Sequence, residues 1–120
     1  MTNYNAYEEA LHDLLELRFP VGSVLERLSK IQAPGETKPV ILTLRGLRQV
    51  LDLHAAGCLD DESIERWAEA VHTLDDIELA DVERAFLAEA LFELSSPELF
   101  GPISQIVSEL RMKVKGSGGV

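Results

Sequence analysis

Four carboxylates fall within seven residues at Asp75, Asp76, Glu78 and Asp81. Side chains so close together can hold a hard cation, because calcium and magnesium take oxygen ligands. The alternating ligands, central glycine and terminal glutamate of a calcium loop are missing here. Paired carboxylates also serve acid–base hydrolysis. A chain with one Trp and two Tyr implies no aromatic-lined cleft for that chemistry. The run therefore reads first as an acidic cluster at the start of a helix, where the macrodipole favours negative charge. A metal-binding or enzymatic regulator built on these four residues stays open as one alternative, and a plain scaffold or oligomerisation domain as another.

Other chemistry is sparse. His12, His54 and His72 show no His-Glu-x-x-His spacing, and one cysteine cannot complete a zinc site by local motif. Each histidine is expected at the surface or half-buried. No Gly-rich phosphate loop, Gly-x-Ser-x-Gly elbow or dinucleotide fingerprint occurs. Cys58 follows Gly57 near a helix start, where a thiolate is stabilised, but a small buried hydrophobe is the expected role. The chain is expected to be non-enzymatic, with no cofactor and no metal.

The wider charge pattern is more informative. The net charge is −10 over 120 residues. Residues 1–60 carry six basic and eight acidic groups, whereas residues 61–100 carry two basic and twelve acidic ones. One third of the chain thus equals the whole imbalance. Such a field repels nucleic acid and anionic membranes and steers basic partners. It also serves plain solubility. The candidate partner-binding residues are Asp60, Asp61, Glu65, Glu69, Asp75, Asp76, Glu78 and Asp81. Glu8, Glu9 and Asp13 on the first helix read as surface charges outside that region.

Length and composition place these residues on one folded unit. A chain of 120 residues with 46% hydrophobic and 27% charged content suits a single folded domain. No apolar run is long enough to cross a bilayer. Met1 to Asn5 lacks the basic stretch and apolar core of a signal peptide, and a lone cysteine forms no internal disulfide. The expected compartment is the cytoplasm.

Apolar residues recur at helical spacing through most of the chain. A first helix is predicted from about Tyr4 to Arg18, capped by Asn3 or Asn5 and ended by Phe19-Pro20. Ser23-Val24-Leu25-Glu26 reads as a capping box opening a second helix to about Ile31. Residues 32–39 read as a loop around Pro34-Gly35. Val40-Ile41-Leu42 has the β-branching of a short strand, but it is predicted as an extended lead into a third helix, with no second strand to pair with it. That helix runs from about Thr43 to Ala56, and Gly57 supplies its left-handed stop. A fourth follows from Asp60 or Asp61 to about Leu74, with Ile64, Trp67, Ala68 and Val71 inward. Its outer face carries Asp61, Glu65 and Glu69 at a spacing where like charges repel. Trp67 is expected in the core.

A fifth helix is predicted from Leu79 or Asp81 to Leu94, apolar nearly all round and hence central. Phe92 has one face that this core need not cover. Ser95-Ser96-Pro97-Glu98 stops it and starts a short turn with proline at the first position. A last helix carries Ile103, Ile106, Val107 and Leu110, then frays from Lys113. The expected fold is all-α: a compact bundle of five or six helices with a central apolar helix near residues 79–94. One domain spans 1–115 and a flexible tail spans 116–120.

Several elements together carry a resemblance: Leu44-Arg45-Gly46-Leu47-Arg48-Gln49-Val50-Leu51, then Gly57-Cys58-Leu59-Asp60 leading to Trp67-Ala68, then Asp75-Asp76-Ile77, and finally the run from Phe92 to Pro102. Over about half its length the chain resembles a bacterial family of small acidic helical proteins without established chemistry. Its layout is also similar to helical bacteriocin immunity proteins. That likeness implies an inhibitor whose acidic side chains neutralise a basic nuclease toxin.

Overall fold

A computed structural model describes residues 3–18, 20–31 and 39–118. Within them the order is α1 (Asn3–Glu16), α2 (Val21–Lys30), β1 (Val40–Leu42), α3 (Leu44–Ala55), α4 (Asp61–Thr73), β2 (Ile77–Leu79), α5 (Arg84–Ser95), α6 (Pro97–Phe100) and α7 (Ile103–Gly118). The expected all-α bundle is what forms, with one small sheet added. Residues 32–38 of the loop predicted at 32–39, and the Phe19 stop, lie outside the described residues. So do the side chains of Asn3 and Asn5.

The end of α1 is set by a backbone turn rather than by proline alone. Leu17 takes a left-handed φ of 51°, and Arg18 N–H donates to the Asp13 carbonyl at 3.2 Å. This six-to-one bond closes the helix in the manner usually given to glycine. A leucine there costs about 1–2 kcal/mol of backbone strain, offset by the packing of its side chain against the core. A second turn of the same type ends α3. Gly57 has φ of 82°, and Cys58 N–H donates to the Leu53 carbonyl at 2.9 Å. Here the left-handed residue is the predicted glycine.

Helix α2 starts two residues before the predicted capping box. Its cap position is Pro20, which makes no side-chain cap bond. Burial of Val21 together with Val24 pulls the helix start back, and Ser23 becomes an exposed residue of the first turn. Helices α3 and α4 begin as the sequence predicts. Thr43 Oγ1 accepts from Gly46 N–H at 3.1 Å, and Asp60 Oδ1 accepts from Ser63 N–H at 2.8 Å.

Val40-Ile41-Leu42 does have a partner strand. It pairs in parallel with Ile77-Glu78-Leu79, with Val40 opposite Ile77 and Leu42 opposite Leu79. Val40 N–H donates to the Asp76 carbonyl and Ala80 N–H to the Leu42 carbonyl, both at 2.9 Å. A parallel pair needs a long crossover, and here it is supplied by α3 and α4. Pairing takes residues 77–79 out of any helix, so α5 begins at Arg84 instead of 79 or 81. Asp75, Asp76 and Glu78 therefore lie on a turn and a strand, and only Asp81, on the bend before α5, stays near a helix start.

The core joins every main element. Trp67 is fully buried on α4, and its indole Nε1–H donates to the Leu14 carbonyl at 2.8 Å. That carbonyl belongs to the last turn of α1, where helical acceptors lack intrahelical donors. Helix α5 buries Leu87, Ala90, Leu91 and Leu94 and packs most extensively on α4. It is not covered all round, because Phe92 is exposed. Helix α7 buries Ile103, Ile106, Val107, Leu110 and Val114. It continues past the predicted fraying point at Lys113 to Gly118, and burial of Val114 gives the reason. The expected tail of 116–120 therefore starts within α7, and residues 119 and 120 lie outside the described ones.

Candidate functional site

The eight acidic residues divide by what holds them. Asp60 is the cap of α4, and hydrogen bonds from Ser63, side chain first and backbone second, keep its carboxyl below the usual range. Asp61 Oδ1 lies 2.6 Å from His54 Nε2, which joins α4 to α3. Asp76 accepts a hydrogen bond from the Tyr7 hydroxyl at 2.6 Å, which joins the turn before β2 to α1. Asp81 pairs with Arg84 at the entry to α5. Glu65 is half-buried, while Glu69, Asp75 and Glu78 are exposed. Four of the eight thus have structural partners, and Glu69, Asp75 and Glu78 point their charge at solvent.

The eight do not converge on one point. Asp60 and Asp61 open α4, and Asp75 to Asp81 follow its far end. A helix of 13 residues rising about 1.5 Å per residue separates them by about 20 Å. The arrangement is an acidic edge, suited to a surface contact and not to closing around a small molecule. Among the described residues no group of three or more His, Cys, Asp or Glu is placed to hold a metal ion.

Three features escaped the sequence reading. Asp13 is buried to 2% exposure, and both Arg18, at 3.4 Å, and Arg27 reach its carboxylate. It is therefore a structural ion-pair centre and not a surface charge. The helical stripe of Tyr7, Leu11 and Leu14 was legible, and Asp13 lies beside it, but a single acid there carries no signal of burial. Cys58 is exposed, because the Gly57 turn lifts it off the end of α3; it is not the small buried hydrophobe expected. Third, Phe92 on α5 meets Phe100 on α6 edge to face, with ring centroids 5.3 Å apart.

The Tyr7–Asp76 pair gives a titration test. Burial first, then the hydrogen bond to Asp76 and the nearby negative charges, raises the Tyr7 hydroxyl from 10.0 to about 12. The folded state thus keeps a proton that the unfolded state loses near pH 10. The corresponding stability is present below pH 10 and disappears as pH rises through about 12. In a Tyr4→Phe background, ultraviolet titration should give a tyrosinate midpoint near 12. Asp76→Asn should move it toward 10 without reaching it, because burial remains. A midpoint unmoved by Asp76→Asn would show that the pair does not form.

No protein-family profile, curated protein or solved structure matches this chain. Among the described residues no helix is long and apolar enough to cross a membrane.

Proposed function

We propose that this protein is a non-enzymatic binding protein of the cytoplasm whose acidic edge docks a basic protein. An immunity or antitoxin-like inhibitor of a nuclease is its most concrete form. The observation that carries the reading is the exposure of Glu69, Asp75 and Glu78 on the part of the chain that holds twelve acidic groups against two basic ones. Carboxylates on that edge occupy the positive groove a nuclease otherwise offers to phosphate, and long-range attraction speeds the encounter. Nucleic acid and anionic membrane are poor partners for the same reason. The resemblance to a bacterial family of small acidic helical proteins, and to immunity proteins in layout, agrees with this function.

The test compares two triple neutralisations of equal charge. Glu69→Gln, Asp75→Asn and Glu78→Gln remove only exposed carboxylates of the edge. Glu8→Gln, Glu9→Gln and Glu26→Gln remove the same charge from α1 and α2. Asp13 is unsuitable for the control because it is buried. Association with the basic product of a neighbouring gene should slow severalfold in the first variant and little in the second. Salt should slow it further, since the Debye length falls from about 10 Å at 0.1 M to about 3 Å at 1 M. Equal losses in both variants would reduce the charge to a solubilising role.

A further inference from the structure

A second surface on the molecule combines apolar and acidic groups in a way the acidic edge does not. Phe92, Leu99 and Phe100 are 43%, 68% and 41% exposed. Phe92 and Phe100 brace each other edge to face, so the aromatic pair is held in place before any partner arrives. Helix α6 is only four residues long and is fixed to the end of α5 by Pro97 and to α7 by Gly101, whose φ is 104°. It leaves both Leu99 and Phe100 exposed.

The rim of this patch is acidic. Glu89, one helical turn before Phe92, and Glu98, next to Leu99, are exposed, and Glu93, next to Phe92, is half-buried; burial raises the Glu93 carboxyl, and the positive charge of Lys113 acts the other way. Rigid aromatic groups inside a polar rim are the usual anatomy of a protein-binding hot spot.

The charge selects the occupant. A symmetric contact with a second copy would bring two acidic rims together, and like charges across an interface are unfavourable. An anionic lipid surface meets the same repulsion. A basic amphipathic helix satisfies both parts at once, with apolar residues on the aromatic pair and Lys or Arg on the rim.

We propose that the Phe92–Leu99–Phe100 patch, with Glu89, Glu93 and Glu98 at its rim, is the anchor site for a basic amphipathic helix of the partner protein. This rests on the partner being basic, as proposed above, and adds a second contact site outside the acidic edge. Steering is then the role of the edge, and the aromatic patch holds the docked helix.

The probe is a synthetic 14-residue peptide with leucine on one helical face and lysine on the other, and a glutamate-for-lysine version as control. Backbone amide NMR of the whole chain should show saturable shifts centred on residues 89–100 with the lysine peptide and none with the glutamate peptide. Leu99→Ser with Phe100→Ser should weaken binding at least tenfold. Leu99→Lys alone, at a side chain already two-thirds exposed, gives the same readout without touching the core, and thermal melts check each variant. Shifts centred on residues 61–78, unaffected by Leu99→Lys, would overturn the anchor while leaving the acidic edge as the site. A concentration-dependent dimer abolished by Leu99→Lys would also overturn it, in favour of a second copy.

Discussion

Trp67→Ala is expected to cost about 3–5 kcal/mol, the range for deleting a large buried aromatic. A domain of this kind is stable by only about 5–15 kcal/mol, so the variant stands near the limit of folding. The indole is fully buried and does two things. It fills the space between α4 and its neighbours, and its N–H meets the Leu14 carbonyl at the end of α1. Trp67→Phe separates the two. Phenylalanine retains most of the apolar volume but leaves that carbonyl without its donor, a loss of about 1–3 kcal/mol. Urea unfolding followed by circular dichroism should therefore order the proteins as parent, Trp67→Phe, then Trp67→Ala. For a chain of this size the alanine variant should melt about 12–20 °C lower, at about 4 °C per kcal/mol. An alanine variant that melts with the parent would mean the indole is not in the core.

Asp13 is the second residue on which the fold depends strongly. Its carboxylate is buried and receives Arg18 from the turn after α1 and Arg27 from α2. Removing one partner of a buried ion pair costs about 3–5 kcal/mol. Both arginine side chains are about half exposed, and water offsets part of their loss, so Asp13→Ala should fall near the lower end of that range. Glu16, which also meets Arg18 but at the surface, is the comparison. Glu16→Ala should change stability by no more than about 1 kcal/mol. If Asp13→Ala and Glu16→Ala unfold at the same urea concentration, the buried pairing adds nothing that a surface one does not. A further consequence is that α1 and α2 loosen together in Asp13→Ala, which amide exchange on both helices would detect.

The candidate sites were legible to different degrees. The acidic third of the chain could be read from composition. Which of its carboxylates serve the fold could not, because Tyr7 and Asp76 are 69 residues apart and nothing local links them. The aromatic patch was visible only as an apolar surplus on one helix. Phe92 is left outside because Leu87, Ala90, Leu91 and Leu94 already fill the side of α5 that faces α4 and α7.

Local order, by contrast, is written in local sequence. The stripe Ile64, Trp67, Ala68 and Val71, the caps Thr43 and Asp60, the glycine stop at position 57 and the proline opening α6 each act within a few residues. Their effects need no distant partner, so the residues themselves determined α3, α4 and the short α6, and with them the all-α class. The sheet was different. The β-branching of Val40 and Ile41 favours a strand only weakly until three residues of β2 arrive beside them across α3 and α4, because a strand's backbone bonds belong to its neighbour. That pairing moved the start of α5, took Asp75, Asp76 and Glu78 off a helix end and brought Asp76 to Tyr7. The burial of Asp13 likewise required α2 to fold back on α1, since a carboxylate is removed from water only where cations from elsewhere in the chain can meet it.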